Sequence, residues 1–137
     1  MKHILLAASA AVLLAACGAM EKKEPPPKPF VGTRWQVLLE SPPAGQIPWV
    51  RFGDGRVQGF GGCNPFSARI IQDSVGAKAI AIQRIEIEPR GVCDASIVAV
   101  QRRMLEVLQS VSSYTIAADV LKMSGSAGTL TFHALPQ

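Results

Sequence analysis

Histidine is nearly absent from this chain: two in 137 residues, His3 and His133. One of the two lies in the first three residues, so a folded part would carry His133 alone. A Ser–His–acid relay or a Cys–His nucleophile needs its imidazole held by partners in a recognisable set, and none accompanies His133. Cysteine is scarce as well, with three residues at 17, 63 and 93. No Cys/His grouping has the spacing of a zinc site, so neither metal nor cofactor is expected. A long apolar run is also missing. The most apolar stretch, Ile4 to Leu14, is broken only by Ser9 and is far short of the about 20 residues that cross a bilayer. Blocks of like charge are missing too; Lys22 and Lys23 adjoin, with Lys28 nearby, and the arginines are scattered along the chain. A net charge of +4 and a pI near 9.3 therefore do not imply a nucleic-acid partner.

What is present begins with an export signal. Met1-Lys2-His3 is a short basic head, the Ile4–Leu14 run is its apolar core, and Leu14-Ala15-Ala16-Cys17 follows. That last segment resembles the lipobox of bacterial lipoproteins: small residues fit the peptidase groove, and the Cys17 thiol accepts the lipid. The expectation is cleavage before Cys17, acylation of Cys17 and stable membrane anchoring, since two or more acyl chains bind where one does not. Gly18, in place of the Asp that retains such proteins at the inner membrane, implies the outer membrane with the domain facing the periplasm. Residues 1–16 are thus read as signal peptide and 17–29 as a tether. Its Pro25-Pro26-Pro27-Lys28-Pro29 run favours extended polyproline II and a semi-rigid spacer.

Residues 30–135 remain for one domain, long enough to form a core. With Cys17 lipidated, Cys63 and Cys93 are an even pair in an oxidising compartment. That favours a disulfide over two buried thiols. Strands are expected over Thr33–Glu40, with Trp35, Val37 and Leu39 on one face, and over Ile47–Phe52. A Gly53-Asp54-Gly55 turn leads to Arg56–Phe60, then a short strand over Ala68–Gln72. Ala77–Glu88 slips phase between Ile80/Ile82 and Ile85/Ile87, which calls for a β-bulge near Gln83-Arg84.

Asp94 is placed to cap a helix running to about Gln109. Ile97, Val100, Met104, Val107, Leu108 and Val111 form its apolar stripe, with Arg102, Arg103 and Glu106 opposite. Tyr114–Ala117, Val120–Met123 and Thr129–His133 complete a set of seven or eight antiparallel strands. The fold class is α+β: a strongly curved antiparallel sheet or incomplete β-barrel with one helix packed across it. Glu86 and Glu88 share a strand face and read as solvent-facing. Gly59-Phe60-Gly61-Gly62 lacks the Lys-Ser/Thr and helix of a phosphate loop, so its glycines mark a close backbone crossing.

These motifs together are familiar. Gly32-Thr33-Arg34-Trp35 opens the domain, followed by Phe52-Gly53-Asp54-Gly55-Arg56-Val57 with Gly59, then Gly62-Cys63-Asn64. Cys93 precedes the Met104-Leu105/Leu108/Val111 helix, and Tyr114, Leu121, Met123, Leu130 and Phe132 close the chain. In order and spacing they resemble the META/HslJ-like domain of bacterial envelope lipoproteins. This chain departs from the pattern at Gln101, where a Glu is frequent, and at Pro65, where a basic residue is frequent. The resemblance implies a small mixed β-domain without known catalysis, loosely tied to heat-shock response and drug tolerance at the envelope. Two functions follow as expectations. One is a non-enzymatic, lipid-anchored module that contacts an envelope protein. The other is a carrier of small apolar ligands inside the curved sheet, lined by Trp35, Trp49, Phe52 and Phe60, unless those rings simply fill the core.

Overall fold

The computed structural model describes residues 23–42, 44–72 and 78–137. The expected signal segment, Cys17 and Gly18 lie outside them. Lys23 to Pro29 is exposed and has neither helix nor strand. The chain meets the domain at Phe30, whose ring stacks between Phe52 (4.2 Å between centroids) and Tyr114 (4.4 Å). Thr33 Oγ1 donates to the Pro29 carbonyl at 2.6 Å and Trp35 Nε1 to that of Phe30 at 3.3 Å, fixing the angle at which the chain enters.

Eight antiparallel strands and one helix follow: β1 Arg34–Val37, β2 Trp49–Phe52, β3 Arg56–Phe60, β4 Pro65–Gln72, β5 Ile80–Ile87, α1 Ala95–Ser110, β6 Val111–Ala117, β7 Val120–Gly125 and β8 Gly128–Ala134. They form one sheet in the order β5-β4-β3-β2-β1-β8-β7-β6. The sheet curls until its outer strands approach, and an isolated antiparallel bridge joins Ala79 to Ser113 at one end. Elsewhere α1 lies across the opening, packed against β5 on one side and β7 and β8 on the other. The bridge and α1 thus shield part of the two outer edges, which shortens the template they offer for aggregation.

Strict alternation places the core. Trp35, Val37, Val50, Phe52, Val57, Phe66, Leu121, Met123 and Phe132 point inward from six strands and meet Met104, Val107 and Leu108 of α1. Several boundaries differ from expectation. Strand β1 is shorter than Thr33–Glu40 because the Pro- and Gly-rich segment after Val37 leaves the ladder, and β2 starts at Trp49 because Pro48 brings no N–H. Strand β4 starts at Pro65, three residues earlier than expected. Pro65 sits at the strand's first position, where the missing N–H does least harm. Asp94 occupies the helix N-cap, but its side chain makes no capping bond; its carbonyl accepts from Ile97 and Val98. Val111 belongs to β6 and not to the helix, although it is buried with the stripe.

The bulge in β5 lies at the expected place. Ser67 pairs with Glu86 and Arg69 with Gln83, so β5 holds one residue more than β4 over that interval. The extra residue turns Ile85 back toward the core after Ile80 and Ile82.

A polar clamp holds α1 to the β3–β4 loop. Gln101 sits on the apolar side of α1 and is buried; its Oε1 accepts from Asn64 N at 2.7 Å and Cys63 N at 3.3 Å. Asn64 Oδ1 in turn accepts from Arg90 N at 2.9 Å. Cys63 and Cys93 are disulfide-bonded with Cα atoms 5.9 Å apart, tying the same loop to the start of α1. Gly61 leaves room for this: a Cβ there would lie 2.6 Å from Gln101 Cγ. Gly59 does the same for the sheet, since a Cβ would meet the Phe66 ring at 2.6 Å and the Trp49 carbonyl at 2.7 Å. Replacing Gln101 by Leu strands two partly buried N–H groups and lowers stability by about 1–3 kcal/mol. Gln101→Glu keeps an acceptor and loses much less. Denaturant melts of both variants at neutral pH check this order.

Candidate functional site

The inward side chains of β1–β5 are apolar, so alternation sends the polar ones to the opposite face. Antiparallel register then sets them in rows. Arg34 faces Arg51, Arg51 faces Gln58, Gln58 faces Ser67 and Ser67 faces Glu86. In the next row Arg56 faces Arg69, which faces Gln83. On the other side of the first row, Trp49 faces Phe60 and Phe60 faces Pro65. Arginines that are scattered along the chain are therefore grouped on the folded surface. Register joins positions that lie far apart in sequence. The scatter along the chain therefore does not carry over to the folded surface.

Two hollows mark this face. One is an open groove of about 730 Å³ across β1–β5, with Trp49, Phe60 and Pro65 along it, Arg34 and Arg56 toward one side and Glu86 and Glu88 toward the other. The Arg34 guanidinium carbon lies 4.0 Å from the centre of the Trp49 ring, a cation–π contact that orders both side chains. The second hollow, about 370 Å³, is lined by Arg56, Ser67, Arg69, Arg84 and Glu86 with Gly55 and Ala68. The ion pairs among the described residues are Arg90–Glu88 (3.3 Å) and Arg103–Glu106 (3.8 Å), both exposed. The arginines of the two rows join neither.

A third hollow, about 300 Å³ and almost wholly apolar, lies where α1 leaves the sheet, between Val37, Leu39, Pro48, Val100, Met104 and Leu130. The four rings proposed as a ligand-cavity lining do not share a space. Trp35 and Phe52 are wholly buried in the core, while Trp49 and Phe60 lie half-buried on the outer face. The one-residue step from Trp35 to Arg34, repeated in every strand, is what separates the two faces.

The remaining candidates fall apart as a site. His133 lies half-buried on β8, facing Gln36 and Val120 across the sheet. Glu88 is paired with Arg90, and Glu86 is exposed on the outer face, so they do not form a carboxylate pair. Among the described residues no group of three or more His, Cys, Asp or Glu could hold a metal ion, and no helix is long and apolar enough to cross a membrane. Sequence reasoning passed over the arginine rows and the Gln101 clamp. The signal for Gln101 was its position on the stripe, three residues before Met104 and four after Ile97.

A curled eight-stranded antiparallel sheet, crossed by one helix that a disulfide and a buried glutamine lock in place, defines a class of small β-rich domain. The META domain family profile matches residues 29–137, and the chain belongs to that family. The META domain is not a known enzyme family. No curated protein matches the chain. Among solved structures it is similar to an NMR structure of a protein from Burkholderia xenovorans, with 16% identity and a TM-score of 0.61, over 79% of this chain and 85% of that one. A second NMR structure is similar at 18% identity and a TM-score of 0.57, over 74% and 87% respectively. At these identities the likeness is one of fold.

Proposed function

We propose that this META-domain protein is a non-catalytic module, held by lipid on Cys17 at the periplasmic face of the outer membrane, that contacts another envelope protein under stress. The observation that carries the contact is the groove on the outer sheet face. It is long and open, combines half-exposed Trp49 and Phe60 with charges of both signs, and so matches an extended protein segment better than a compact substrate. Trp and Arg dominate binding energy at protein interfaces because they combine large apolar area with a polar handle. The anchor rests on the lipobox-like segment at Cys17, and the stress association on the family resemblance.

Crosslinking in intact cells followed by affinity capture tests the contact. A partner captured by the wild type is expected to be lost in Trp49→Ala, at a cost of about 2 kcal/mol or more, roughly thirtyfold in affinity. Mass spectrometry of the same captured protein is expected to show an acylated Cys17 at its N-terminus; an unmodified N-terminus refutes the anchor. A second reading draws on the apolar hollow beside Met104 and Leu130, whose size and lining suit a small apolar ligand. Capture unchanged by Trp49→Ala moves the contact away from the groove; absence of any captured protein together with a small apolar molecule co-purifying with the chain favours the second reading.

A further inference from the structure

The smaller hollow on the outer face is built at a cost that packing does not explain. Arg56 and Arg69 are cross-strand neighbours, and like charges placed opposite each other destabilise a sheet. Arg84 adds a third guanidinium by an unusual route. Gln83 faces Arg69 on the outside, so regular alternation would turn residue 84 into the core like Ile82. The bulge instead holds Arg84 at φ 54°, in the left-handed region that residues with side chains seldom adopt, and its side chain lines the same hollow as Arg56 and Arg69. Bulges and left-handed residues of this kind cluster where a side chain must be aimed at a ligand.

The geometry points to a phosphate-binding site formed by Arg56, Arg69 and Arg84 with the Ser67 hydroxyl. Guanidinium forks match phosphate oxygens two by two, and the hydroxyl supplies a further donor. Glu86 is the one carboxylate lining the hollow. Three guanidiniums against one carboxylate leave two positive charges, the complement of a phosphomonoester dianion rather than of a carboxylate or a diester. Such a group is carried by a free phosphate ester or by a lipid head group. The hollow adjoins the Trp49 groove and shares Arg56, Ser67 and Glu86 with it, while Arg69 and Arg84 line this hollow and not the groove.

The test uses the full chain in neutral detergent. It is titrated by calorimetry and by NMR with inorganic phosphate, glycerol 3-phosphate and dihexanoyl phosphatidic acid, against sodium chloride at matched ionic strength. Saturable one-to-one binding is expected, with the amides of Gly55 and Arg84 shifting first. Arg69→Ser and Arg84→Gly are each expected to weaken it at least tenfold, and Arg102→Ser, on the outer side of α1, to leave it unchanged. Without ligand, Arg84→Gly should melt higher than the wild type because the left-handed strain is relieved, which separates lost binding from lost fold. Tighter binding of phosphatidic acid than of glycerol 3-phosphate assigns the site to a lipid head group; equal binding assigns it to a soluble ester. A response that sodium chloride reproduces, or binding unaffected by Arg69→Ser and Arg84→Gly, overturns the site.

Discussion

Leu108→Ala lowers the unfolding free energy by about 2–5 kcal/mol. Leu108 is wholly buried where α1 meets the sheet, together with Met104 and Val107. Truncation removes the transfer free energy of its methyl and methylene groups and leaves a void that the surrounding strands cannot close, because their ladders fix them. On the opposite side of α1, Arg102 is exposed and has no ion-pair or hydrogen-bond partner among the described residues. Arg102→Ala therefore changes stability by less than about 0.5 kcal/mol. Equilibrium denaturation of both variants is the check. An equal loss in the two, or a larger one for Arg102, would contradict the observed helix face.

Loss of the Cys63–Cys93 bond in a Cys63→Ser/Cys93→Ser variant costs about 3–4 kcal/mol, from the chain-entropy relation for a loop of this size. The bond closes a separation of 30 residues, and that loop contains β4 and β5, the two outermost strands on one side of the sheet. In the oxidised chain it limits how far those strands can stray from α1 when unfolded. Thermal melting with and without reductant is expected to show a clear drop in Tm with cooperativity kept, since the core is independent of the bond. A thiol count on unfolded, unreduced protein is expected to find neither Cys63 nor Cys93 free. Two free thiols at those positions would remove the basis of the prediction. The Gln101 clamp acts on the same loop, so the effects of Gln101→Leu and of reduction should not be additive.

Local pattern made much of the fold legible. Period-two burial from Trp35 to Val37 and from Val57 to Gly59 follows from the chain's own alternation. So does the period of three to four from Met104 to Leu108. The phase slip between Ile82 and Ile85 located the bulge, because a strand cannot keep both isoleucine pairs inward without an extra residue. The candidate site was much less legible. Arg34, Arg51, Arg56, Arg69 and Arg84 each sit on a different strand or at a different strand end. The outward direction of Arg34, Arg51, Arg56 and Arg69 could be read from parity, that of Arg84 depends on the bulge, and the adjacency of the five could not be read at all.

By itself, then, the sequence determined which residues are apolar in which period, where glycine and proline interrupt them, and hence the strand and helix inventory of an antiparallel α+β domain. Those properties are local: they depend on steric limits and on side-chain spacing over a few residues. Only the tertiary structure decided the strand order, the closing bridge between Ala79 and Ser113, the burial of Gln101 and the gathering of the arginines into facing rows. Each of these depends on register between segments distant in the chain. Register is set by the simultaneous burial of Trp35, Val50, Val57 and Phe132 in a single core, a condition on all strands at once that no one segment carries.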